Sequence, residues 1–417
     1  MATGSMSKRH PEIITTVLSN GIRAVHTLCR ASAVEIFGIT VKAGSRNESL
    51  DMHGLAHFVE HTIFKGTGHR RASHIINRME SVGGELNAFT TKEETVIYSV
   101  FPSGNFARAV ELISDLVSDS RFPEKELAKE REVVADEIDS YLDSPSEAIF
   151  DDFEDYIFAG SALGHNILGS TESLKHFDSH VCMNFIDRNY RTDNMVAFYS
   201  GPGSAKIVFS QMERYLSVLS QKSCAEDNHN IVPPVNLPFD KTHLLPTHQA
   251  HCIIGARVPS YLDKRRYAVA LLTNMMGGPG MNSLLNIALR ERRGLVYNVE
   301  ASTALFSDCG LLTVYFGCDP GDVMRCRELV GREFEKLNSS LTAKKLEAAK
   351  RQYLGQLIIA SENRENSALG LARSLLWRNE IIDPSESESA IKAITVDDIL
   401  QAAYPMQTAS ILTFSPE

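Results

Sequence analysis

The segment Gly54-Leu55-Ala56-His57-Phe58-Val59-Glu60-His61 concentrates side chains that can do chemistry. His57 and His61 are four residues apart. On a helix they share one face, one turn apart, and can hold a single metal ion. Glu60 lies three residues from His57, on the same side. A carboxylate there can take a proton from a metal-bound water. Imidazole ligands suit Zn2+, and a catalytic zinc keeps three protein ligands and one open position. A third ligand is therefore needed. The acidic stretch 124–141 offers Glu130 and Glu137, seven residues or two helical turns apart on one face. Spacing leaves both open, because a single glutamate on a helix is ordinarily a solvated surface group.

These side chains need elements to hold them. Partly alternating β-branched runs predict strands over 12–18, 22–28 and 34–41, the first two joined by Ser19-Asn20-Gly21. Helical periodicity covers 54–64, which carries the histidines, and 73–82, which stops at Gly83-Gly84. A strand over 95–101 follows, then helices over 106–118, 124–141 and 146–158. Pro123 opens the second of these, where its missing N–H costs nothing. A polar stretch at 224–230, then Pro233, Pro234, Pro238 and Pro246, marks a linker. Beyond it the pattern restarts: a strand over 251–257, helices over 264–276 and 281–292, strands over 296–304 and 311–318, and helices over 322–337 and 343–360.

The restart points to a duplication. Phe122-Pro123-Glu124-Lys125-Glu126-Leu127 is echoed by Leu341-Thr342-Ala343-Lys344-Lys345-Leu346 at an offset of 219 residues, between corresponding helices. The expected domains are 6–220 and 247–417, joined by a linker over 221–246. Strands and helices mix without strict βαβ alternation. The fold class is therefore α+β, with each domain a largely antiparallel sheet and packed helices. At the repeat offset Glu137 falls on Gln356 and His57 on Met276, so the second copy lacks the metal residues.

Composition narrows the function. The 417 residues carry 42 basic and 52 acidic side chains, a net charge of −10. Nucleic-acid and anionic-membrane binders show a basic surplus instead. No stretch nears the roughly 18 apolar residues of a membrane span. The start, Met1 to Glu12, has no apolar core of a secretory signal, and its first five residues read as a vector-derived scar ahead of Met6. Seven scattered cysteines without CxxC spacing read as thiols of a reducing, cytoplasmic compartment. Residues 123–155 hold 13 acidic and 3 basic side chains. Where that face lined a binding site it would favour cationic partners.

The sequence resembles the M16 family of zinc peptidases, the inverzincins, whose HxxEH reverses the more familiar HExxH. In that pattern a glutamate ligand follows the second histidine by about 76 positions, which lands on Glu137, with another glutamate seven earlier, at Glu130. Gly83-Gly84-Glu85-Leu86-Asn87-Ala88-Phe89-Thr90 resembles the family's GGxxNAxT segment. Asn189-Tyr190-Arg191-Thr192-Asp193-Asn194-Met195 resembles its NYxxxNM run, and Leu289 to Tyr297 resembles its LREKRGLxY. One departure is Leu284 after Ser283, where relatives often carry arginine.

The resemblance implies a zinc-dependent endopeptidase that hydrolyses short unfolded peptides. His57, His61 and Glu137 would hold Zn2+, Glu60 would act as general base, and Glu130 would orient a ligand. Asn87, Ala88, Phe89 and Thr90 would form an edge strand that pairs with the substrate backbone. Arg290 and Tyr297 would donate to the substrate carbonyl and its oxyanion. A two-repeat chain implies a partner chain, most simply in a homodimer. Two other readings compete. A non-catalytic M16-like scaffold or partner subunit would lack part of this residue set. A structural zinc site would want four closed ligands, usually with cysteine, and Cys29 is the nearest in sequence.

Overall fold

A computed structural model describes residues 12–220 and 233–417. The chain opens with β1 (Glu12–Val17), β2 (Arg23–Leu28) and β3 (Val34–Val41), followed by α1 (Leu55–Thr62) and α2 (Ala72–Glu80). Next come β4 (Glu85–Thr90), β5 (Thr95–Pro102), α3 (Phe106–Asp119), α4 (Glu124–Leu142) and α5 (Pro145–Ile157). Then follow α6 (Ser179–Asn189), β6 (Met195–Gly201) and α7 (Ala205–Leu216). The later part runs β7 (Asp240–Leu245), β8 (Ala250–Val258), α8 (Arg266–Gly277), β9 (Val296–Leu305) and β10 (Gly310–Cys318). It closes with α9 (Val323–Ser340), α10 (Ala343–Ser361), α11 (Arg364–Arg378), α12 (Pro384–Ala393), α13 (Val396–Ala403) and β11 (Ser410–Pro416).

These elements form two compact units. The first takes the described residues of Met1–Ile138, Ile167–His229 and Ser361–Pro384; the second takes those of Asp139–Asn166, Asn230–Ala360 and Ser385–Glu417. Among the described residues the first sheet has the order β1-β2-β6-β3-β5-β4, and the second β7-β11-β8-β10-β9. From β2 onward the two orders match strand for strand. Each sheet is antiparallel except for one parallel pair, β2 with β6 and β7 with β11. Two copies of one α+β domain account for that coincidence.

Alternation along the strands gives each sheet two apolar faces. In the first unit Phe37, Ile39 and Ile97 pack with Phe58, Val59, Leu127 and Val134 of α1 and α4. On the opposite face Ile36, Val96 and Phe198 meet Ala368, Ala372, Leu375 and Leu376 of α11. In the second unit Ile254, Leu312 and Val314 share a core with residues of α8 and α9. Ile253, Leu311 and Leu412 meet Ala148, Ile149 and Phe153 of α5. Burying a side chain of this size is worth about 1.5–3 kcal/mol, so neither second face can be left bare.

That requirement corrects the expected division at 220 and 247. Residues of α5 lie in the second unit and those of α11 in the first, each covering a sheet from which a single cut would separate it. The expected linker is corrected as well. Its residues 221–232, like the five ahead of Met6, lie outside the described residues, but 240–245 form β7, paired in parallel with β11. The helix expected over 281–292 is shorter, a π-helical turn at Asn286–Glu291.

Candidate metal centre

Helix α1 begins at Gly54, whose φ of 96° lies in the left-handed region. A Cβ there would stand 2.6 Å from the Leu168 carbonyl oxygen and 2.9 Å from Gly169 Cα, so only glycine fits. Leu55, Ala56, Phe58 and Val59 are buried in the core, with Phe58 against the Phe177 ring at 5.4 Å. This anchoring turns His57 and His61 toward α4, their ring centroids 4.5 Å apart.

On α4, Glu137 reaches both histidines. Its Oε1 is 3.8 Å from His57 Nε2, and its Oε2 is 3.4 Å from His61 Nε2. One ligand atom from each of the three residues lies within 4.8 Å of the other two. Zinc bonds of 2.0–2.1 Å in a tetrahedron separate neighbouring ligand atoms by about 3.4 Å, so the spacing suits one small cation. Burial, with His61 adding to it, pulls His57 down to about 4. The imidazole is then neutral at physiological pH, the form a metal needs.

Glu130, one helical face with Glu137 but two turns earlier, is buried and turned elsewhere. Its Oε1 is 3.1 Å from His61 Nδ1, and its Oε2 accepts from Lys65 Nζ at 2.7 Å. A carboxylate at Nδ1 accepts a hydrogen bond from the Nδ1–H and so leaves Nε2 with its lone pair facing Glu137. His57 Nδ1 is buried with no hydrogen-bond partner among the described residues, so no neighbour dictates its tautomer.

Glu60 is largely buried, and burial raises its pKa; Thr90 and His61 oppose the rise, whereas Glu137 adds to it. Thr90 ends β4, and among the described residues β4 pairs only with β5. Asn87, Ala88, Phe89 and Thr90 therefore stand on a sheet edge beside α1. Ala88 packs toward the core, and Phe89 meets the Tyr98 ring edge-on at 6.3 Å.

His57, Glu60, His61, Glu130 and Glu137 thus come together in the first unit. Arg290 and Tyr297 belong to the second. Arg290 sits exposed in the π-helical turn, and Tyr297 on β9 donates its hydroxyl to Asp319 Oδ1 at 3.1 Å. On the second unit's own helices α8 and α10, Asn274 Nδ2 donates to Gln356 Oε1 at 2.7 Å. Gln356 is the repeat counterpart of Glu137, and a neutral amide pair replaces the anionic ligand.

The family model described as insulinase, peptidase family M16, matches residues 30–171, and that of the peptidase M16 inactive domain matches residues 182–353. An uncharacterized zinc protease of Mycobacterium tuberculosis is 31% identical over 400 residues, covering 92% of this chain and 88% of the relative. The chain belongs to peptidase family M16. An uncharacterized zinc protease of Bacillus subtilis is 30% identical over 370 residues, 87% of this chain and 88% of its own. The M16 fold is equally plain in solved structures. A protease from Helicobacter pylori superposes with a TM-score of 0.89 at 20% identity, covering 98% of this chain and 100% of that one. An M16 inactive-domain structure from Pseudomonas fluorescens gives 0.90 at 17% identity, covering 97% and 98%. The inactive-domain match falls on the half whose helices carry the Asn274–Gln356 pair in place of ligands.

Two residues at this M16 site escaped the reading of the sequence. Lys65 lies four residues after His61, a spacing that could have flagged it as a partner for Glu130. Glu48 accepts backbone N–H groups at the start of α1, and a lone glutamate ahead of a glycine carries almost no signal.

Proposed function

We propose that this chain is a zinc-dependent endopeptidase acting on short, unfolded peptides. The convergence of His57, His61 and Glu137 beside Glu60 carries the reading. Two imidazoles and a carboxylate suit Zn2+ and leave one position of a tetrahedron open. Zinc held there would polarise a peptide carbonyl and make a water a better nucleophile. Glu60 takes the proton from the attacking water and hands it to the leaving amine. Its raised proton affinity suits both halves of that task. Glu130, braced by Lys65, keeps His61 in place.

An extended peptide adding to β4 would hydrogen-bond through its backbone and run past Thr90, beside Glu60. Edge pairing demands an unfolded chain and little sequence. Arg290 and Tyr297 serve as donors to the oxyanion. Tyr297 does so by exchanging its bond to Asp319 for one to substrate. The acidic residues of α4 and α5 favour cationic peptides. The working form is a homodimer in a reducing, cytoplasmic setting. There the six described cysteines, five of them buried, stay thiols. Among the described residues no helix is long and apolar enough to cross a membrane.

Glu60→Gln tests the reading. The variant is expected to keep its zinc and to lose peptide hydrolysis by at least about a hundredfold. Turnover at the wild-type rate would refute the role given to Glu60.

A further inference from the structure

Helix α1 has a problem that its own sequence does not solve. It spans only Leu55–Thr62, too short to hold itself together, and its N-cap Gly54 has no side chain to satisfy the first N–H groups. Glu48 does so from outside the helix. Its Oε2 accepts from Gly54 N at 2.9 Å and its Oε1 from Ala56 N at 2.7 Å. Each oxygen of one carboxylate thus accepts from the helix start, and the residue after Ala56 is His57.

The backbone that carries Glu48 is fixed to a different element. Ser45 N donates to the Thr91 carbonyl at 3.2 Å, and Arg46 N to that of Lys92 at 2.8 Å. The Arg46 guanidinium pairs with Glu93 at 2.6 Å, both side chains buried. Gly44 lets the two turns touch, because a Cβ there would sit 2.2 Å from the Thr91 oxygen and 2.7 Å from Glu93 N. Thr91 directly follows Thr90, the last residue of β4 and the neighbour of Glu60.

We infer that Glu48 is the positioning residue that registers the metal-binding helix α1 against the peptide-binding edge strand β4. The inference rests on the peptidase reading above, and Glu48 is assigned no contact with metal or substrate. Its carboxylate holds the helix, and its backbone turn holds the end of the strand. Losing one carboxylate oxygen frees an N–H at the helix start. Each residue of a helix advances it by only about 1.5 Å, so a small slip moves His57 and His61 off Glu137.

The test is Glu48→Gln in the full chain, which keeps shape and leaves one acceptor oxygen. Hydrogen exchange at the Gly54 and Ala56 amides should speed up about tenfold or more. Zinc, measured by chelator competition, should bind about 10–100-fold more weakly, as expected when support for a ligand is removed. With zinc saturating, kcat should fall about tenfold while KM stays within about twofold, because β4 itself is intact. Should Glu48→Gln fail to fold, Glu48→Asp replaces it under the same thresholds, since the shorter side chain cannot span both amides. A variant with wild-type zinc affinity and wild-type kcat overturns the inference. So does a loss of activity that follows only the folded fraction while zinc affinity stays unchanged. If wild-type protein binds no zinc and cleaves no peptide, the peptidase reading fails instead. Exchange at Gly54 and Ala56 then still decides whether Glu48 holds the helix.

Discussion

Protonation of His57 offers a quantitative check on how the site is built. In metal-free protein, burial together with His61 holds this imidazole at about 4. An unfolded chain has it near 6.5. Its folded pKa is therefore depressed, so as pH falls through that window the unfolded chain takes up a proton that the folded chain refuses. Stability is lost with falling pH, at up to about 1.4 kcal/mol per unit, or ~3 kcal/mol across the whole window. Between pH 7 and pH 5 the loss from this one group is about 2 kcal/mol. Other groups titrate too, so the comparison is wild type against His57→Gln, both in excess chelator. Urea unfolding at pH 7 and pH 5 gives four free energies. The wild type should lose about 2 kcal/mol more than the variant on acidification. Equal losses, within about 0.5 kcal/mol, would mean that His57 is not held neutral by burial, and the argument for a preformed neutral ligand would fall.

Two further predictions follow from the same packing. Lys65→Met removes the cation on Glu130 Oε2 and should weaken zinc about tenfold or more in chelator competition, with Tm changed by only a few degrees. Unchanged affinity would show that Glu130 needs no brace. Phe58→Ala empties a fully buried position on the core side of α1 and should cost about 3–5 kcal/mol in urea unfolding. A cost below about 1 kcal/mol would contradict the account of how α1 is anchored.

Much of the site was legible because helical periodicity is local. His57, Glu60 and His61 declare one face by spacing alone, and Glu130 and Glu137 declare another. That the two faces meet depends on Phe58 and Val59 entering the same core as Leu127 and Val134, which no local pattern states. Strand β4 was legible only through the family motif. ELNAFT lacks the alternation of a half-buried strand, and its residues are only partly buried. Helix α11 could have been read from Ala368, Ala372, Leu375 and Leu376, which repeat on one face. Its destination on the first sheet was not legible, because that contact spans hundreds of residues. β7 hid among prolines because among the described residues it is an edge strand with one partner, largely solvent-facing, and needs little apolar pattern. Glu48 and Lys65 do their work through contacts with two backbone amides and a carboxylate brought near by folding.

The central claim is that His57, His61 and Glu137 hold one zinc that peptide hydrolysis requires. Elemental analysis of purified wild type and Glu137→Gln, alongside cleavage of an internally quenched peptide, tests it most directly. The account predicts about one zinc per wild-type chain, a large loss of zinc and of cleavage in the variant, and loss of wild-type cleavage in chelator that added Zn2+ restores. Wild-type protein that cleaves the peptide without zinc, or a Glu137→Gln variant that keeps both zinc and activity, would contradict it.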